Sequence, residues 1–396
     1  MKYIFFFLCL YLPLFSFAQS DKQIIDKVQK YIANKKYETA YELLDSIDPL
    51  NRIPDLVLLK EELSLNYFIA SVNHEMYSFK DLKKDETLAD FRDKPGESKM
   101  HQFEINKVLD SLVKVYPKDY RLYKGLGDFY YDVHIKYGDT WIIKNKQLVA
   151  DIEDDYLETI KHNLADFQTF YRLGLVDIMD DKYAEGILCL RKATEMDSTD
   201  PDAQYNLAFA YLNSGDSRDS ALKHAIISVN LYKDTSERGD AARMTGVIYG
   251  ELGNTKKAVE YMELSDKIAP GSYSTMKILV DMYLKDGEKK KAKSATEKFY
   301  RLDPQNPTIY NDLVAIYTDN KQQKQLIDFF QRELKTAENL PVQYGSLYFY
   351  IGRLYLDTDK VRAKANLVKA KEILSKVYSP DNEVFQLIDQ ALKKIE

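Results

Sequence analysis

Tyr249, Tyr283 and Tyr317 stand 34 residues apart, twice in succession. Ala258 and Ala292 keep the same interval, as do Pro270 and Pro304, and upstream Leu173-Gly174 and Leu207-Ala208 are again 34 apart. Several residue types held in one phase require a repeated structural unit. A period of this length is that of an array in which each unit buries its apolar face against its neighbours.

The unit reads as two helices. Met276, Leu279, Val280 and Tyr283 fall at helical spacing. Lys285-Asp286-Gly287 then breaks the helix, with Gly suited to the left-handed turn at a helix end. A second helix carries Ala292 and Phe299, and Leu302-Asp303-Pro304 ends the unit because Pro cannot continue a helix. Composition agrees: 15 Gly and 11 Pro among 396 residues leave few turn-formers for a fold of many hairpins.

A small residue recurs in the first helix as Gly127, Gly174, Ala208, Gly246 and Gly352. An aromatic follows three places later as Tyr130, Tyr211, Tyr249, Tyr283, Tyr317 and Tyr355. The small side chain lets paired helices approach and the ring fills the space beside it. Asp177 replaces the Tyr once, and Val280 and Val314 replace the small residue twice. The pattern resembles the tetratricopeptide repeat (TPR). The resemblance implies an all-α fold, a right-handed α-solenoid of TPR helix-turn-helix repeats. The expected organisation is a signal peptide at 1–18, a helical region with one degenerate repeat at 19–119, and a repeat with a 13-residue insertion at 120–166. The main array follows at 167–380 and a capping helix at 381–396. Residues 53–115 are off-period, read as a long apolar helix near 55–75, a polar stretch through Pro95-Gly96, and another helix. Ser379-Pro380 is expected to cap the final helix.

Lys2 precedes an apolar run from Tyr3 to Phe15, and Ser16-Phe17-Ala18 places small residues where a signal peptidase needs them. Cleavage is expected between Ala18 and Gln19, which makes the protein periplasmic or secreted, without a membrane span once the signal is gone. The run is interrupted by Pro13 and short for a bilayer. The Phe-rich signal and Tyr/Lys-rich body resemble exported TPR proteins of the Bacteroidetes. Only Cys189 would survive cleavage, so no internal disulfide is possible, and its apolar helical surroundings read as structural.

In a TPR array the first helices line the concave face, so the resemblance implies a peptide-binding groove. Counting in phase places Tyr171, Tyr205, Arg243, Lys277 and Asn311 in that groove. Phe209 joins them, with Asn206 and Asn213 flanking the middle. Aromatics can grip apolar side chains, while Arg, Lys and Asn can hold carbonyls or carboxylates. The family's carboxylate clamp pairs Lys and Asn within one unit, and no unit here has both. Trp141, the sole Trp, marks the insertion as a possible second contact.

A net charge of −6 with well-mixed signs opposes binding to nucleic acid. The five histidines show no metal-ligand spacing, Gly125-Leu126-Gly127 lacks the rest of a phosphate loop, and Gly271-Ser272-Tyr273-Ser274 is no nucleophile elbow. No catalytic residue, cofactor or metal is expected. The reading is a non-catalytic, extracytoplasmic adaptor, monomeric by default, that binds a protein or peptide. A fixed structural subunit of an envelope complex for secretion, nutrient uptake or outer-membrane assembly is the alternative. A cryptic enzyme in 53–115 and the insertion is the third.

Overall fold

A computed structural model of the chain describes residues 12–92, 94 and 99–395, with backbone alone for 12–21. Most of the expected signal, residues 1–11, and Pro95-Gly96 therefore lie outside the described residues, and the Ala18–Gln19 bond lies where only backbone is described. The chain is about 73% helical, with nineteen α-helices among the described residues. They fall into two units, residues 1–198 and 199–396. No helix among the described residues is long and apolar enough to cross a membrane.

The second unit is an α-solenoid of helix-turn-helix pairs. Its first pair is α9 (Pro201–Ser214) with α10 (Arg218–Leu231), followed by α11 (Thr235–Glu251) with α12 (Thr255–Ile268). Next come α13 (Tyr273–Lys285) with α14 (Lys289–Leu302), and α15 (Pro307–Asp319) with α16 (Gln323–Ala337). The last pair is α17 (Pro341–Tyr355) with α18 (Lys360–Leu374), and α19 (Glu383–Lys393) closes the unit.

Each boundary has a local cause. Asp200 caps α9 by accepting from the Ala203 amide at 2.7 Å, and Asn306 caps α15 through Thr308 at 2.9 Å. Pro201 and Pro307 occupy first-turn positions that need no amide hydrogen. Gly287 turns the chain at φ +71°, and Pro270 and Pro304 fall two residues after α12 and α14 end. The final helix is capped differently from the expectation. Asn382 accepts from the Val384 amide at 3.0 Å, so Ser379-Pro380 belong to the preceding turn.

The tyrosine and small-residue phases meet in the packing. A methyl on Gly352 would sit 2.8 Å from Leu367 Cγ, and one on Gly246 3.0 Å from Met262 Cε, so side chains of the second helix occupy that space. Tyr283 and Tyr317 are buried, with hydroxyls on Glu263 at 2.8 Å and on Thr296 at 2.8 Å. One core runs from Met262 to Ala391. At its centre Tyr310 stacks on Tyr350 with ring centroids 4.6 Å apart, and Tyr300 meets Tyr310 edge-on at 5.6 Å.

The first unit opens with α1 (Leu12–Ala33) and α2 (Tyr37–Ile47), then α3 (Pro54–Asn66). The long helix expected near 55–75 ends at Asn66. A three-stranded sheet follows: β1 (Ala70–Val72), β2 (Met76–Ser78) and β3 (His101–Gln102), antiparallel in that order. The reason is the Asn73-His74 pair, at φ +53° and +55°, which turns the chain in the three-residue loop between Val72 and Met76. Thereafter the unit is helical: α4 (Ile105–Val115), α5 (Arg121–Tyr137), α6 (Asn145–Lys161), α7 (Phe167–Met179) and α8 (Tyr183–Met196).

Candidate functional site

In the second unit, α13 and α15 lie side by side and present matching stripes to a cleft of about 610 Å³. Lys277, Asp281 and Lys285 recur every four residues on α13, so they share one face. Asp312 and Asp319 stand opposite on α15. Between the charges, Ile278, Met282, Ala315 and Ile316 form an apolar floor. Charges of both signs rim the cleft.

These charges are cross-linked. Lys277 Nζ is 2.9 Å from Asp312 Oδ1, and Tyr273 donates its hydroxyl to the other carboxylate oxygen. Burial, and then that hydrogen bond, push the Tyr273 hydroxyl up to about 12. Asn320 donates to Asp281 Oδ1 at 2.8 Å, and Lys285 holds Asp281 Oδ2 at 2.6 Å. Only side-chain ends are fixed here, and the Lys277 side chain keeps 45% exposure, so a ligand can exchange for these ion pairs.

Of the residues placed in the groove by repeat phase, Lys277 lines this cleft. Arg243, on α11, pairs with Asp240 at 3.1 Å. Tyr205, on α9, lies near both, and burial raises its hydroxyl pKa while the Arg243 charge opposes the rise. Its ring meets Tyr232 edge-on at 6.2 Å. Asn311 accepts from Arg353 Nη1 at 2.7 Å, tying α15 to α17. Asn206 and Asn213 each donate to a carbonyl four residues back in α9, on Asp202 and Phe209, both at 2.9 Å. Phe209 is 36% exposed. Tyr171 belongs to the first unit, where it stacks on Phe167 at 5.6 Å.

Trp141 packs inward. The indole is 7% exposed, meets Phe129 edge-on at 5.7 Å, and donates Nε1–H to the Asn73 carbonyl at 2.9 Å. It anchors the β1–β2 turn to the helices. Cys189 is half-buried, and burial followed by the Asp177 charge pushes its thiol up to about 12, which leaves it protonated and unreactive at neutral pH. No group of three or more His, Cys, Asp or Glu among the described residues is arranged to hold a metal.

Repeat phase alone does not find Asp312, because its role in the cleft depends on Lys277 of the preceding repeat. The missed signal was the interval of 35 between Lys277 and Asp312, one period plus one, with opposite charges on successive first helices.

Tetratricopeptide-repeat family models match residues 189–220 and 244–272. The chain therefore carries tetratricopeptide repeats. No curated protein matches the sequence. Solved structures similar to this chain include MamA, 22% identical over 40% of this chain and 90% of its own, with a TM-score of 0.37. YrrB, described as a TPR protein with an unusual peptide-binding site, is 20% identical over 42% of this chain and 77% of its own, at 0.36. A tetratricopeptide repeat protein from Parabacteroides merdae is 15% identical over 69% and 98%, at 0.43.

Proposed function

We propose that this protein is an exported, non-catalytic adaptor that holds a polypeptide segment in the concave groove of its second unit. The observation that carries this reading is the cleft between α13 and α15, whose apolar floor lies between charges of both signs. A floor of Ile278, Met282 and Ile316 suits apolar side chains, and Lys277, Asp281 and Asp312 can each trade an internal partner for a group on the ligand. A uniformly charged polymer would meet half of this rim with the wrong sign. Repeat phase assigns Tyr205 and Arg243 to the same groove, and they lie near one another, with Phe209 exposed on α9. Export rests on the N-terminal signal, and the Bacteroidetes-type character rests on the composition of that signal and of the body.

A fixed structural subunit is the second reading. It is favoured by Val361 and Val368, seven residues apart on α18 and 81% and 51% exposed, which an obligate interface would cover.

The test is a pull-down from the envelope fraction with tagged chain, identified by mass spectrometry, comparing wild type with the Lys277→Glu/Asp281→Lys double variant. Partners lost on the double variant and at high salt support the adaptor. One stoichiometric assembly retained by the double variant and at high salt overturns it in favour of a fixed subunit.

A further inference from the structure

The first unit has a concave cleft of its own, about 540 Å³, lined by one stripe from each of three helices. Leu58, Glu61, Glu62 and Leu65 come from α3, Lys124, Gly125 and Asp128 from α5, and Arg172 from α7. The cations of this cleft are already matched. Lys124 pairs with Asp128 at 2.8 Å and Asp166 at 3.4 Å, Arg172 with Asp128 at 2.7 Å, and Arg121 with Asp55 at 2.5 Å and Asp119 at 2.6 Å. Asp128 also accepts from Tyr156 at 2.7 Å, and Asp132 faces His74 Nε2 at 2.5 Å.

Glu61 is the exception. It is 6% exposed, and its carboxyl, on the wall of the cleft, has no hydrogen bond or ion pair among the described residues. Its neighbour Lys60 shows how this fold treats a buried charge that it intends to keep internal. Lys60, 2% exposed, is held by Asp45 at 2.7 Å and Asn51 at 3.0 Å and lies over the rings of Tyr41 and Phe103. Buried polar groups are almost always satisfied, and a buried carboxyl without a partner within the protein is free to take one from outside it. Burial and then the Asp128 charge raise the Glu61 pKa well above the ordinary carboxylate range.

Gly125 lets this carboxyl lie close against the backbone of α5. A methyl there would come within 3.3 Å of Glu61 Oε2 and 3.0 Å of Leu58 Cδ2. Leu58 and Leu65 give the cleft aliphatic walls, and Glu62 adds a second carboxylate, on which the Lys124 charge acts without forming an ion pair. We propose that this cleft receives a primary ammonium group on an aliphatic stem, with Glu61 as the carboxyl that meets it and ionises as it arrives, and Leu58 and Leu65 flanking the stem. A compact ammonium suits a single recessed carboxyl better than the wide planar fork of a guanidinium. The lysine side chain of a polypeptide and a free aliphatic diamine both offer this chemistry. The site belongs to the first unit, whereas the groove belongs to the second.

The test is calorimetric titration of the full chain with three probes: an acetylated and amidated tripeptide Ala-Lys-Ala, the same peptide with norleucine for lysine, and 1,5-diaminopentane. The expected result is binding of the lysine peptide at least tenfold tighter than of the norleucine peptide, and a loss of at least tenfold on Glu61→Gln, whose shape and helix content match the parent. Tighter binding of the diamine than of the lysine peptide, lost equally on Glu61→Gln, assigns the site to a free amine. Equal binding of the lysine and norleucine peptides by wild type overturns the proposal whatever the variant does, as does an unchanged affinity in Glu61→Gln. Glu61→Gln that keeps its partners in the pull-down separates this site from the groove.

Discussion

Lys277 on α13 reaches Asp312 on α15, one repeat further along, with Nζ 2.9 Å from Oδ1. Tyr273 binds the second oxygen of the same carboxylate, so Asp312 gathers two residues of the preceding repeat. Links of this kind join successive first helices along the face that lines the cleft.

The ion pairs of that face are half-exposed, so their removal is expected to change stability by less than about 1 kcal/mol. Lys277→Glu with Asp281→Lys is expected to weaken binding of an identified partner at least tenfold while the thermal midpoint stays within a few degrees. Calorimetric titration beside a thermal melt reads both quantities.

Gly127 is closed in by the ring of Tyr156, whose Cε1 would lie 2.6 Å from a methyl at that position. Tyr156 is fully buried and its hydroxyl is bound to Asp128, so the ring has little room to retreat. Gly127→Ala gains about 1 kcal/mol of helix propensity and is expected to lose more to overpacking, for a net destabilisation of about 1–3 kcal/mol. The urea midpoint followed by circular dichroism reads the sign.

Asp155 sits among Asp151, Asp110 and Asp154, and burial first and those charges second push its carboxyl up to about 8. A carboxyl that ionises near pH 4 in the unfolded chain and near 8 in the folded one favours the folded state only while protonated. Its contribution is therefore lost as the pH rises from about 4 to about 8. Asp155→Asn is expected to raise stability by about 1 kcal/mol or more at pH 8 and by much less at pH 5. Thermal melts at the two pH values test this; an equal effect at both would refute it.

Trp141 acts as a brace. Trp141→Phe removes the Nε1–H bond to Asn73 and is expected to cost about 1 kcal/mol, with partner binding unchanged. In the wild type, its emission should be that of a buried indole, poorly quenched by acrylamide.

The helix pairs from Phe167 onward were legible because period, small residue and tyrosine reinforce one another, and Gly287, Pro270 and Pro304 fall where the turns need them. Residues 66–102 were not. There the apolar run of α3 continues into Ile69 and Val72 without a change in hydropathy, and only the Asn73-His74 pair, two left-handed residues in the turn between β1 and β2, marks the hairpin. The phase that found Lys277 in the cleft also named Asn206 and Asn213, whose amides are tied to their own helix. Repeat phase gives the face of a helix, whereas the partner of a side chain depends on the next repeat. For Glu61 the sequence shows one of two adjacent acids in the run Lys60-Glu61-Glu62; that it is buried while Glu62 is exposed depends on the packing of α5.

The central claim is that a polypeptide lies along α13 and α15. The most direct measurement places a photo-activated cross-linking residue at Ile278, on the cleft floor, and in a second variant at Val361, exposed on α18. After irradiation in the envelope fraction, the adducts are identified by mass spectrometry. The account predicts a defined polypeptide adduct from Ile278, abolished by Lys277→Glu with Asp281→Lys, and no such adduct from Val361. The same polypeptide captured from Val361, with Ile278 left unmodified, would contradict it.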